Sequence, residues 1–240
     1  EGLDQLSPDE VRARLSGSPE ERAALIRAGA EQGVAEAQAV WAQMLLDAGK
    51  ASAGFAWFNK AAAQGHLMAL NMVGRCYDQG WGVAIDKARA AECFRLAAER
   101  GLDWGMYNYA TALTLGEGVA EDKAAALDWF KRAAALGNAK AINYVGSFHE
   151  DGWVVARDMA KAAECYARAA AGGDFRGAFN HARMLIAADR LDEARAWLTQ
   201  CAQSATPAFR RKAAAWLAAS PHPALTEVLH VEAANRDVAP

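Results

Sequence analysis

Apolar residues recur along most of this chain at intervals of three and four, the period of an amphipathic helix. Leu70, Val73, Gly74 and Tyr77 fall on one face of a first helix. Ala91, Phe94, Ala97 and Ala98 fall on one face of a second. Between them runs GWGVAID, from Gly80 to Asp86. Gly80 stands where the first helix should stop, and glycine accepts the left-handed conformation that a helix end often needs. Asp86 stands where the second helix should start, and its carboxylate can cap free backbone amides there. The pattern predicts a pair of helices joined by a glycine loop.

The pair is repeated. Gly65, Gly101, Gly137 and Gly173 are spaced by 36 residues and delimit three copies, 66–101, 102–137 and 138–173. Positions agree one by one: Ala69, Gly105 and Ala141; Gly74, Ala110 and Gly146; Gly80, Gly116 and Gly152; Val83, Val119 and Val155; Asp86, Asp122 and Asp158; Phe94, Phe130 and Tyr166. Two shorter copies of 32 residues, 34–65 and 174–205, flank these and lack the glycine loop. Atypical end units are expected of a solenoid, whose terminal repeats face water. A glycine loop that returns three times in register is architecture. A phosphate-binding loop would follow a strand and carry a lysine and a hydroxyl, whereas here a helix precedes it.

The ends read as caps. Ser7-Pro-Asp-Glu10 and Ser18-Pro-Glu-Glu21 are capping boxes. They predict a short helix after Ser7 and a longer one to about Gln32, so that 1–33 is an N-terminal capping region. Thr206-Pro207 opens a helix to about Ala219, with Phe209, Ala213, Trp216 and Leu217 as its apolar stripe. Ser220-Pro-His-Pro223 then breaks the chain. Residues 224–240 are expected to add one more short helix and then fray, docked through Leu225, Val228, Leu229 and Val231; a loose tail is the alternative.

The run ALNMVGRCYDQGWGVAIDKARA, followed by FRLAAERG and, one copy later, by WFKRAAALG, resembles the Sel1-like repeat family over residues 34–205. The chain departs from that pattern at Val154, which replaces a glycine, and at His149, which replaces a tyrosine. The resemblance implies an all-α fold: a right-handed α/α superhelical solenoid, close to tetratricopeptide repeats and used to bind other proteins.

Composition narrows the function. With 53% hydrophobic residues among 240, a sizeable core is available. A net charge of −3 carries no nucleic-acid footprint. No stretch is long and apolar enough to span a bilayer. The chain starts at Glu1 without methionine, so a removed signal peptide is compatible with it, and the cytoplasm is favoured only slightly over the periplasm. Cys76, Cys93, Cys165 and Cys201 form no CxxC pair and read as small core residues, with a Cys76–Cys93 disulfide as the alternative. The histidines His66, His149, His181, His222 and His230 show no metal-ligand spacing. His149 is expected as a satisfied, partly buried side chain, and a metal site shared with His181 is the alternative. No catalytic constellation is legible, and the expectation is no enzyme, no cofactor and no metal.

In a tetratricopeptide-like register the first helices line a concave face. That puts Met68, Asn71 and Arg75 on the groove, then Trp104, Tyr107 and Thr111, then Lys140, Asn143 and Ser147, then Arg176, Phe179 and Arg183. Trp104, Tyr107 and Phe179 are large aromatics at positions where a plain solenoid carries polar groups, and aromatics with arginine dominate interface hot spots. Asn71 and Asn143 occupy the same position 72 residues apart and can hold an extended peptide backbone. Arg75, Lys140, Arg176 and Arg183 suit an acidic segment or a C-terminal carboxylate. Packing of Trp104 and Tyr107 between repeats is the alternative. Trp81 and Trp153 are expected to cover the edge of a neighbouring repeat, with an edge binding patch as the alternative.

The expected function is a monomeric, non-catalytic scaffold that binds a peptide or partner protein in this groove. The alternatives are a bacterial inhibitor or immunity-type protein that blocks a toxin or enzyme, and an accessory subunit of a neighbouring enzyme.

Overall fold

The structure, a computed structural model, describes residues 7–230. Their regular structure is all helix, with no strand among the described residues. Two helices lead: α1 (Pro8–Ser16) and α2 (Pro19–Glu31). Five pairs follow: α3 (Ala35–Asp47) with α4 (Ala51–Ala63), α5 (Leu67–Gln79) with α6 (Lys87–Glu99), α7 (Asp103–Leu115) with α8 (Lys123–Ala135), α9 (Ala139–Asp151) with α10 (Met159–Ala171), and α11 (Phe175–Ala187) with α12 (Leu191–Ser204). Helix α13 (Pro207–Ala218) and a 3-10 helix (Pro223–His230) close the described chain. The chain divides between Trp129 and Phe130, inside α8, into two compact units.

Both capping boxes form. The Ser7 hydroxyl accepts from the Glu10 amide at 3.3 Å while the Glu10 carboxylate accepts from the Ser7 amide at 2.8 Å. Ser18 and Glu21 repeat this at 3.2 and 2.8 Å. The seven-residue links 80–86, 116–122 and 152–158 shrink to three residues, 48–50 and 188–190, in the flanking pairs. In the first long link Gly80 ends α5 in the left-handed region at φ 75°, with its amide on the Cys76 carbonyl at 2.9 Å. The Asp86 amide returns to the Tyr77 carbonyl at 3.0 Å, and its carboxylate accepts from the Arg89 amide at 3.0 Å. Asp122 and Asp158 cap α8 and α10 likewise, each at 2.9 Å. Gly82 lies so close to the Ala51 backbone that a Cβ there would meet its carbonyl carbon at 2.3 Å. In the third link Val154 takes the corresponding left-handed conformation, φ 52°, with a branched side chain.

In the unit before Phe130, Phe58, Met72, Val73 and Cys76 are buried together with small residues such as Ala42, Ala61 and Ala69. The alanines and Gly74 keep α5 close to α6: a Cβ on Gly74 would sit 2.6 Å from the Phe94 ring. In the second unit the core runs from Ala170 through Leu185, Leu198 and Leu217 to Leu229. Leu225, Val228 and Leu229 are buried, so this part of the tail docks, and it does so as a 3-10 helix. Val231 and the rest of the tail lie outside the described residues. All four thiols are free, Cys76 and Cys93 included, so the alternative disulfide is not formed. Burial pushes the thiols of Cys76, Cys93 and Cys201 up to about 11.

Candidate binding faces

In the first unit the sites sit on α5 and α7. Asn71, 2% exposed, accepts at 2.8 Å from the side-chain amide of Asn108. This bond sets the register of the two helices. Met68 and Arg75 stand one turn to either side of Asn71, and Trp104 stands one turn before Asn108. Met68 is 39% and Trp104 37% exposed, and Tyr107 packs its ring against Trp104 edge to face at 6.0 Å. Thr111 turns its hydroxyl to the Tyr107 carbonyl of its own helix, 2.9 Å away. Arg75 is exposed, with its guanidinium over the Trp81 ring at 4.8 Å. Gln43, Leu46, Asp47, Ala51, Met72, Arg75 and Trp81 line a cavity of about 460 Å³. Lys87 bridges Asp78 at 2.6 Å and Glu117 at 3.0 Å, which holds its amine above its ordinary value.

In the second unit α9 and α11 repeat the asparagine pair. Asn143, also buried, accepts from Asn180 at 2.9 Å. Arg183 donates to Asn180 at 2.9 Å, pairs with the Glu150 carboxylate and lies over the Trp216 ring at 5.5 Å. Glu150 also accepts from the Tyr166 hydroxyl at 2.5 Å. Burial alone would raise this carboxyl, but the bonds from Tyr166 and Arg183 and the Arg183 charge outweigh it and hold it below the ordinary range. Lys140 is half-buried and Arg176 exposed, with the Arg176 guanidinium over Phe175 at 4.6 Å and Phe209 at 5.7 Å.

Several sequence expectations change in this light. The sides of Asn71 and Asn143 aimed at a peptide backbone are occupied by asparagines on the next first helix. Phe179 is only 8% exposed, because Phe209 and Trp216 of α13 cover it edge-on at 5.6 and 5.7 Å. Arg183 is compensated by Glu150 and adds no unbalanced charge. His149 is buried, but neither ring nitrogen has a hydrogen-bond partner, contrary to the satisfied side chain expected. Among the described residues no group of three or more His, Cys, Asp or Glu is placed to hold a metal. Sequence reasoning missed Asn108 and Asn180. The available signal was the 37-residue step from Asn71 to Asn108, repeated from Asn143 to Asn180.

The Sel1 repeat profile matches residues 35–66, 67–102, 105–138 and 139–174. A search of curated proteins found no match. Among solved structures, a protective antigen of uropathogenic Escherichia coli with an SLR fold is similar at 26% identity and a TM-score of 0.68, over 91% of this chain and 50% of that one. A Sel1 repeat protein from Oxalobacter formigenes is similar at 26% identity and a TM-score of 0.69, over 83% of this chain and 59% of that one. The chain thus spans about half to three fifths of these two proteins. An immunity protein from Pseudomonas aeruginosa shares the fold at 19% identity and a TM-score of 0.52, over 73% of this chain and 66% of that one. Repeats of this kind are generally non-catalytic and mediate protein interactions. Among the described residues no helix is long and apolar enough to cross a membrane. With the repeat matched in four successive copies covering more than half of its length, the chain belongs to the Sel1 repeat family.

Proposed function

We propose that the protein is a non-catalytic scaffold, five helix pairs over 34–205 between helical caps at 1–33 and 206–240, that binds a peptide or partner protein through its first helices. The observation that carries this reading is in the first unit. Met68, on the α5 row that also carries Arg75, and Trp104 on α7 expose large apolar side chains, and Tyr107 supports Trp104. Exposed large apolar and aromatic side chains, with a guanidinium that has no carboxylate partner further along α5, are residue types that dominate interface hot spots. On the second unit Lys140 and Arg176 are proposed as partner-binding cations of its own first helices, and Asn71's counterpart Asn143 serves the scaffold by holding α9 to α11.

Capture from host lysate tests the reading, with wild type beside Trp104→Ala/Tyr107→Ala and circular dichroism as the folding control. A protein held by the wild type and released by the folded double variant supports it. Equal capture by both removes these residues from the interface. A second reading, an inhibitor or immunity-type protein, draws on the fold shared with the immunity protein. It predicts that the captured partner is a toxin or enzyme whose activity falls on binding, whereas a scaffold leaves that activity unchanged.

A further inference from the structure

The first helices α3, α5, α9 and α11 are each 13 residues long, so their positions correspond one by one. In the second unit the twelfth residue of α9, Glu150, pairs with the ninth residue of α11, Arg183. In the first unit the twelfth residue of α5, Asp78, also meets a cation, Lys87 at 2.6 Å. Between α3 and α5 the twelfth and ninth positions are Leu46 and Arg75. The arginine is kept and the carboxylate is gone. The neighbouring positions change with it. Lys87 opens α6, whereas Ala51 opens α4. Glu117, which Lys87 reaches at 3.0 Å, lies 36 residues after Trp81. The ion bridge of Asp78, Lys87 and Glu117 thus gives way to leucine, alanine and tryptophan. In that place stands the cavity of about 460 Å³ whose apolar lining is Leu46, Ala51, Met72 and Trp81. Its size lies within the range of small-molecule sites.

Arg75 makes no ion pair among the described residues. Its guanidinium lies over the Trp81 ring at 4.8 Å and donates to the Met72 sulfur, a weak acceptor, at 3.8 Å. Asp47, the one carboxylate in the lining, accepts instead from Gln43 at 2.7 Å. Stacking fixes the plane of the guanidinium, and the planar N–H fork that matches a carboxylate is left without an oxygen acceptor. The group missing from the scaffold is therefore a carboxylate, and the space beside it is apolar. An aspartate or glutamate side chain brings a carboxylate on one or two methylenes and leaves most of that apolar wall uncovered. A chain terminus carries a carboxylate and a whole side chain on the same carbon, which meets both features at once.

We propose that the cavity between α3 and α5 receives the C-terminal residue of a partner protein, its α-carboxylate on Arg75 and its apolar side chain against Leu46, Met72 and Trp81. This site rests on the scaffold reading above and specifies which part of a partner the first unit takes.

The test follows the Trp81 indole N–H of the full chain by proton–nitrogen NMR, identified with Trp81→Phe. The probes are acetylated triglycine peptides ending in leucine, methionine or phenylalanine, each as the free acid and as the C-terminal amide. An acetylated glycine peptide with one internal glutamate and an amide end stands for a side-chain carboxylate. The expected result is a saturable shift with a free acid, and binding weaker by about tenfold or more for its amide and for the glutamate peptide. Arg75→Gln should weaken the acid by a similar factor. Leu46→Glu, which restores the carboxylate found at Asp78 and Glu150, should pair with Arg75 and abolish the shift. If that variant fails to fold, Arg75→Gln decides. No saturable shift below about 10 mM, equal binding of acid and amide, equal binding of the glutamate peptide, or indifference to Arg75→Gln overturns the proposal. These titrations need no identified partner. A protein captured from lysate through Trp104 and Tyr107 while no acid peptide binds leaves the scaffold reading standing and this site overturned. Acid-specific binding with equal capture by wild type and Trp104→Ala/Tyr107→Ala supports the site and removes only those two aromatics.

Discussion

Arg183→Met is the perturbation whose consequence the structure states most sharply. Arg183 and Glu150 are 22% and 17% exposed in their side chains, and their contact is charge-assisted. Removing the guanidinium leaves the carboxylate with Tyr166 as its remaining donor. A fully buried pair broken on one side costs about 3–5 kcal/mol. Partial exposure screens this one, and we expect about 2 kcal/mol, seen as a lower urea midpoint with an unchanged slope. Glu150→Gln should cost less, since the amide oxygen still accepts from Tyr166 and the Arg183 guanidinium left without its carboxylate keeps Asn180 and the Trp216 ring. The double variant completes a thermodynamic cycle, with an expected coupling of about 1–2 kcal/mol at pH 7. Glu150 is held below its ordinary value, so its contribution is full above the unfolded carboxylate range and is lost as pH falls through the folded value. The coupling should therefore shrink when the cycle is repeated below about pH 4. A coupling under about 0.3 kcal/mol at pH 7, or one that stays constant down to low pH, would falsify the assignment of Arg183 to the scaffold.

Other expectations are simpler. Val154→Gly should raise stability by about 1 kcal/mol, because a branched residue in the left-handed region is strained; a loss on thermal unfolding would refute that. Asn71→Ala should cost about 1–2 kcal/mol and Asn108→Ala should add little on top of it, since the two side chains share one buried bond; full additivity would mean they act separately. Gly146→Ala should destabilise by about 2 kcal/mol, as its Cβ would lie 2.7 Å from the Tyr166 ring, and a neutral effect in chemical denaturation would show that the helices can part. Native Cys76 should react with a disulfide reagent at pH 8 about a hundredfold more slowly than an ordinary thiol, because burial lifts it to about 11 and depletes the thiolate; labelling at the unfolded rate would contradict the burial.

Fold and repeat were legible in the linear chain because they depend on local and periodic chemistry. The capping serines, the aspartates at Asp86, Asp122 and Asp158, and the helix-ending glycine Gly80 act on backbone atoms a few residues away. Any sequence with those residues at those spacings makes the same helices and links. The departure at Val154 was visible as a missing glycine, and the strain it carries followed from its place in the link. The candidate faces were legible only as far as helix rows extend. Rows place Met68 and Arg75 on one face of α5 and Trp104 on the matching face of α7, but they say nothing about what arrives from another helix. Phe179 lost its exposure to α13, a helix that begins 28 residues later, and the charge of Arg183 is compensated by Glu150, 33 residues earlier. His149 shows the same limit from the other side: its tyrosine-like position is plain in the repeat, while its buried, unpartnered nitrogens are decided by the tertiary packing. Backbone geometry is decided by neighbours in the chain, whereas exposure, compensation of charge and empty volume are decided by neighbours in space.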